Sequence, residues 1–406
     1  MTLNTTWVRG QFPAFAEPSL AGQAFFENAG GSYACGPVID RLTRFYRSRK
    51  VQPYAPYEAS RLGGAEMDEA RARLATMLGV ETDELSFGPS TTQNTYVLAR
   101  AFAGAMQPGE AIVVSNQDHE ANSGPWRRLA EEGIEIREWR IDPDTGHLDP
   151  EALEPLLDEK VRLVVFPHVS NVVGEVNDVA TITAMAQSAG AFVCVDGVSY
   201  APHGLPDVGA LGPDIYLFSA YKTYGPHQGL MVIRRALGEW LPNQAHHFNA
   251  DVLYKRFTPA GPDHAQVAAS AGIADYIEAL SAHHGGPAHG AAAARRAHDL
   301  MRGHETALLQ PLLDYLSARN DVRLLGPNRA EIRAPTVALE LAVPGAGVAA
   351  ALALEGIMAG GGDFYAVRPL EAMGVDLDKG VLRLSFVHYT NETEVQHLIA
   401  ALDKAL

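Results

Sequence analysis

Short runs of valine, isoleucine and other apolar residues recur through the middle of the chain with helix-like stretches between them, and this alternation limits the fold more than any other feature. The runs "AIVVS" (111–115), "VRLVVF" (161–166), "AFVCVD" (191–196), "DIYLFS" (214–219) and "GLMVI" (229–233) have the length of single strands. They are apolar almost throughout, as strands covered on both faces are. The stretches "GPWRRLAEEG" and "VATITAMAQSAG" carry helical spacing. Strand–helix–strand repetition of this kind gives a largely parallel sheet with helices on both faces, an α/β fold.

Near residue 284 the pattern changes. "HHGGPAHGAAAARRAHD" predicts a long alanine-rich helix leaving the large unit. Beyond it, "TVALELAV" and "VLRLSF" read as strands and "GVAAALALEGI" as a helix, and a last helix is capped around Thr390–Asn391 with Glu394 behind it. This is a smaller α+β unit.

Composition excludes several classes of function. With 32 basic against 48 acidic residues the formal charge is -16, which repels a phosphate backbone, so no nucleic-acid partner is expected. No apolar run approaches the roughly 18 residues of a membrane helix, and the opening "MTLNTTWVRGQFPAF" lacks an apolar core of signal-peptide length. Cys35 and Cys194 are too few for a disulfide framework, as suits a reducing compartment, and a cytoplasmic location is expected. The histidines at 246, 247, 283, 284 and 289 have no acidic or cysteine partner at ligand spacing and read as solvated, so no metal is expected.

Ligands of open parallel sheets sit beyond the carboxyl ends of the strands. The residues there are His119 after the first run, Ser170 and Asn171 after the second, Asp196 at the end of the third, and Ser219, Tyr221 and Lys222 after the fourth. Upstream, "FGPSTTQN" leads into a helix, and its free N–H groups with the hydroxyls of Ser90, Thr91 and Thr92 suit a phosphate. A lysine able to form a Schiff base, a carboxylate for a pyridine nitrogen and a phosphate cradle are the parts of a pyridoxal 5'-phosphate site.

The segments "DHEANSGPW", "PHVSNVVGEV", "VDGVSYAPHG", "FSAYKTYGPHQG" and "VLRLSFVHYTNETEV" resemble, in order and spacing, the class V aminotransferase superfamily, especially its cysteine desulfurase and selenocysteine lyase branch. The resemblance runs from "FFENAGG" to the last helix. It implies a fold-type I pyridoxal phosphate-dependent enzyme with a large cofactor domain, residues 18–282, and a small domain built from both chain ends, 1–17 and 283–406. It also implies a homodimer with active sites at the subunit interface.

By position, the resemblance makes Lys222 the Schiff-base lysine that also moves the α-proton, Asp196 the partner of the pyridine nitrogen, and His119 the imidazole stacked on the ring. Asn171 and Ser199 fall near the phenolic oxygen, and Thr91, Thr92, Ser219 and Tyr221 at the phosphate. Arg383 falls where relatives grip the substrate carboxylate, with Asn28, Tyr365 and Arg368 as further substrate contacts.

Departures from the pattern bear on the reaction. Desulfurases carry a persulfide-forming cysteine on a loop before the arginine, and "GGGDFYAVRPLEAMG" contains none; that stretch reads either as a flexible connector or as a substrate-selecting gate. Ser199 stands where desulfurases have glutamine, Tyr221 where relatives commonly have histidine, and Gly261 in "TPAGPDH" where a threonine reaches the partner's phosphate. Without a sulfur acceptor, β-elimination from an S-substituted or otherwise activated amino acid is the first expectation. Transamination to a 2-oxo acid comes second and epimerisation third. A catalytically silent scaffold has no need of Lys222, Asp196, His119 and Arg383 together.

Overall fold

The structure is a computed structural model that describes residues 2–406; Met1, the first residue of the expected 1–17 segment, lies outside them. The five apolar runs form neighbouring strands of one seven-stranded sheet. Its order is Leu85–Gly88, Gly229–Ile233, Ile215–Ser219, Phe192–Asp196, Val161–Pro167, Ala111–Ser115 and Glu135–Trp139. Only Gly229–Ile233 runs against its neighbours; the other pairings are parallel. Their side chains are buried on both faces, which is why these strands lack alternation. Glu135–Trp139 escapes sequence reading because it is an edge strand whose charged residues face outward.

The C-terminal unit is a four-stranded antiparallel sheet in the order Gly360–Gly362, Val381–Ser385, Thr336–Leu341, Val322–Leu325. The glycines of that first strand are paired and not a free connector: Gly360 pairs with Arg383 and Gly362 with Val381, while Phe364 and Tyr365 beyond them line a cavity. Bare backbone is needed there, since a Cβ on Gly361 would lie 2.2 Å from the Ala346 nitrogen at the start of the helix Gly345–Leu354.

Packing runs across the expected boundaries at 17/18 and 282/283. Leu3, Val8 and Phe12 enter a cluster shared by Val38, Phe45 and Tyr276 of the large unit and Ala338, Val381 and Tyr389 of the small one. Ala24 and Phe26 enter the core of the small one, and Ala24–Phe25 pairs in parallel with Ile357–Met358. The helix Gly290–Ser317 has 28 residues and is about 42 Å long, enough to serve both cores. Ala294, Ala297, Leu300 and Met301 face the large core, and Leu309, Leu312, Leu313 and Leu316 the small one. One helix thus contributes to both clusters, a sharing that composition does not signal. The terminal helix Glu392–Ala405 carries the expected capping box of Asn391 and Glu394.

Candidate active site

Two adjoining cavities of about 300 and 560 Å³ open where the carboxyl ends of the parallel strands meet the small unit. Lys222 borders both, on a short turn Ala220–Lys222 just after Ile215–Ser219. The chain reverses two residues later through Tyr224, whose φ of 62° is a left-handed conformation uncommon outside glycine. Lys222 is 9% exposed, and among the described residues no carboxylate or carbonyl accepts a hydrogen bond from its amine. Burial, aided by the positive Arg383, pushes that amine down to about 8.

Asp196 ends its strand beside Pro167 and Leu217 and points into the smaller cavity. One carboxylate oxygen accepts from the Val198 N–H at 2.8 Å, leaving the other without a bond among the described residues. Burial raises the carboxyl to about 6 against the pull of that N–H and of Lys222. His119 caps the helix Glu120–Arg127 through Nδ1, which accepts from the Ala121 N–H at 3.0 Å. Its proton therefore sits on Nε2, and burial together with Lys222 and Arg383 lowers it to about 3, so the ring is a neutral plate.

At the far end of the smaller cavity the helix Thr91–Ala105 begins, with Ser90 accepting from the Gln93 N–H at 3.1 Å. The Thr91 and Ser219 hydroxyls are 2.8 Å apart, and Tyr221 stacks on His227 at 4.7 Å. The first-turn N–H groups face this end, a ready anion cradle. The strand below can approach because residue 229 is glycine: a Cβ there would lie 2.4 Å from the Ser90 carbonyl carbon. Ser199 lines the same cavity beside Asp196.

Asn171 donates from Nδ2 to the Phe364 carbonyl at 3.0 Å, while its Oδ1 is buried without a partner. Phe364 and Tyr365, with φ of 53° and 55°, are left-handed residues held at the cavity mouth. The Tyr365 carbonyl accepts from the Glu120 N–H at 2.8 Å, and its ring, 72% exposed, tilts over His119 at 5.6 Å. Strain held by such bonds marks sites where geometry is being enforced.

Two further expected substrate contacts have hydrogen-bond partners within the protein: Asn28, which lines a small cavity with Lys222 and Ser199, and Arg368. The Asn28 amide donates to the Ser385 and Phe25 carbonyls at 3.3 and 3.4 Å and accepts from the Tyr389 hydroxyl, so its hydrogens are committed to the scaffold. Arg368 bonds Glu120, a residue of the larger cavity's wall, at 3.2 Å. Arg383 does line the larger cavity, but a residue the sequence reading passed over is bound to it: Glu27 Oε1 accepts from Nη2 at 2.6 Å. The signal available was a lone acid, "FFENAGG", beside a predicted contact. Asp118 was also missed; it is wholly buried and raised to about 7 by that burial.

Neither cysteine reaches the cavities. Cys35 is buried against the Gly272 carbonyl and pushed up to about 12, and Cys194 lies within its strand, held well above the ordinary thiol range by burial. The surface histidines pair with rings and acids: His283 stacks on Trp7 at 4.3 Å, His246 on Phe248, and His289 sits 3.1 Å from Glu278.

A buried amine with no acceptor, a carboxylate with a spare oxygen, the unpartnered Asn171 Oδ1 and an anion cradle at one end fit pyridoxal 5'-phosphate. Fold and site together define a pyridoxal phosphate-dependent enzyme. The family model for class V aminotransferases matches residues 24–398, and the chain belongs to that family. It is 34% identical over 98% of both chains to the aminotransferase-like protein FGM3 of Gibberella zeae. It is 29% identical over 98% of its length and 97% of the relative's to a cysteine desulfurase of Pectobacterium atrosepticum. The crystal structure of the Escherichia coli cysteine desulfurase CsdA superposes with a TM-score of 0.83 over 100% of this chain and 99% of that one, at 24% identity. The protein is thus an enzyme acting on amino acids, with an α/β fold of the desulfurase type.

Proposed function

We propose that the enzyme is a β-eliminating lyase of S-substituted or otherwise activated amino acids that works without an enzyme persulfide. The observation that carries this reading is the absence of a thiol from the walls of both cavities, with Cys35 and Cys194 buried and held protonated. When bound, the cofactor supplies an electron sink that makes the bonds at the substrate's α-carbon labile. Lys222, its amine lowered to about 8, would hold the cofactor in the resting enzyme and, once the substrate's amine has displaced it, is the free base that takes the proton from the α-carbon. The electron pair left behind expels the group on the β-carbon. Asp196 would hold the ring nitrogen and His119 the ring itself, and Thr91, Thr92, Ser219 and Tyr221 with the helix N-terminus would hold the phosphate. Asn171 and Ser199 address the phenolic oxygen, and Arg383 the carboxyl end of the substrate.

The active form is a homodimer. Tyr46, Tyr54, Tyr57 and Phe248 are each at least half exposed, an apolar surface that a second copy would cover. A cytoplasmic location fits the two unpaired cysteines.

The test is a single-turnover assay without a 2-oxo acid, offering cysteine S-conjugates as free acids and as amides. Release of pyruvate, or its amide, together with ammonia while the starting cofactor spectrum returns is the expected result. A second reading, transamination, follows from likeness to the aminotransferase-like FGM3. Conversion to the pyridoxamine form without ammonia would establish it and overturn elimination.

A further inference from the structure

The arginine that faces the substrate's carboxyl end already has a carboxylate. Glu27 Oε1 lies 2.6 Å from Arg383 Nη2, with the two side chains 27% and 4% exposed. The guanidinium lies 3.8 Å from the centroid of the Phe364 ring, and Nη1 reaches the Asn171 carbonyl at 3.4 Å. Glu27 is built into this place. Its backbone bridges to Ser385, and two glycines make room for its head: a Cβ on Gly30 would lie 2.9 Å from Oε1, and one on Gly360 would lie 2.9 Å from Oε2. Oε2 is buried against Gly360 and has no hydrogen-bond partner among the described residues, so a donor arriving from the cavity would meet Oε1.

A free α-carboxylate arriving at Arg383 would set two anions on one buried cation. One of them would have to take a proton or give up its partner, and a buried charge stripped of its partner is strongly unfavourable. A neutral group carrying both an acceptor and a donor meets no such conflict. Its oxygen accepts from the guanidinium and its N–H donates to the carboxylate beside it. Resting on the reading of this pocket as an amino-acid site, we propose that Glu27 is a specificity-determining residue and that the Glu27–Arg383 pair recognises a carboxamide on the substrate's α-carbon instead of a free carboxylate. The larger cavity, about 560 Å³ and bordered by Tyr96 and Tyr365, leaves room for a chain continuing beyond the amide.

The experiment compares L-alanine with L-alaninamide on the cofactor-loaded wild type and on Glu27→Gln, reading dissociation constants by calorimetry and by cofactor absorbance. The wild type is expected to bind alaninamide about tenfold more tightly, and E27Q to shift the ratio about tenfold or more toward alanine. The shift between the two proteins cancels the difference in basicity of the two amines. Preference for alanine in the wild type, measurable without any variant, would overturn the proposal. So would an equal weakening of both probes in E27Q, which would make Glu27 only a positioning residue for Arg383. If neither probe perturbs the absorbance or gives heat with the wild type, the amino-acid reading itself fails and this inference fails with it.

Discussion

At the scale of single residues, the site is a set of side chains pushed from their ordinary protonation by burial. Lys222 is the plainest case, since its amine is enclosed with Arg383 nearby and has only Asp196 and Glu27 to favour its charge. Borohydride reduction of the loaded enzyme followed by peptide mapping is expected to place the cofactor on Lys222, and Lys222→Ala to abolish both the label and turnover; a label on another lysine would refute the assignment. Asp196 gives a stability test. Its carboxyl titrates near 6 in the fold and near 4 when unfolded, so between these values the folded chain holds a proton the unfolded chain has lost. Stability from this group therefore falls as pH rises through that window. In the cofactor-free protein, Asp196→Asn should gain on the wild type from pH 4 to 6, by up to about 3 kcal/mol, and then level off. Denaturant unfolding across pH measures this, and a flat difference would show that Asp196 is not desolvated. These residues were legible in sequence because each follows a strand end. Glu27 was not, because its meaning depends on Arg383, 356 positions away.

At the scale of elements, close packing fixes the strand that carries Arg383. Gly361 touches the start of the helix Gly345–Leu354 through backbone alone, so Gly361→Val must displace either the helix or the strand. Overpacking of this kind costs about 1–3 kcal/mol, and the expected outcome is a lowered Tm with weakened substrate binding. An unchanged Tm would mean that the pairing of Gly360–Gly362 is looser than it stands. The capping box at Asn391 is independent of the site, and Asn391→Ala should lower stability by about 1 kcal/mol while leaving cofactor loading intact, read by thermal unfolding and absorbance. The sequence showed the box and the apolar strands, whose signals are local. At "GGGDFYAVRP" it left a connector and a substrate-selecting gate open, and did not show that the glycines are required by a tight crossing.

At the scale of the whole molecule, the site stands at the junction of two cores, with Lys222 and Asp196 from one unit and Arg383 and Phe364 from the other. Sedimentation is expected to give twice the chain mass of 43.6 kDa, and Phe248→Asp to lower dimer affinity; a monomeric wild type with full activity would refute the dimer reading. The doubly substituted Cys35→Ser, Cys194→Ala enzyme should keep its elimination activity, measured as pyruvate and ammonia released, and its loss despite normal loading would revive a thiol mechanism. By itself the sequence determined the α/β class, the order of the strands along the chain and the residues at the strand ends, because period, burial and caps act over a few residues. Tertiary structure alone decided that Leu3, Val8 and Phe12 join a cluster spanning both units while Ala24 and Phe26 serve the small one, that one helix contributes to both, and that Glu27 closes on Arg383. These are contacts between segments hundreds of residues apart, and their energies depend on which surfaces meet and on how far water is excluded between them.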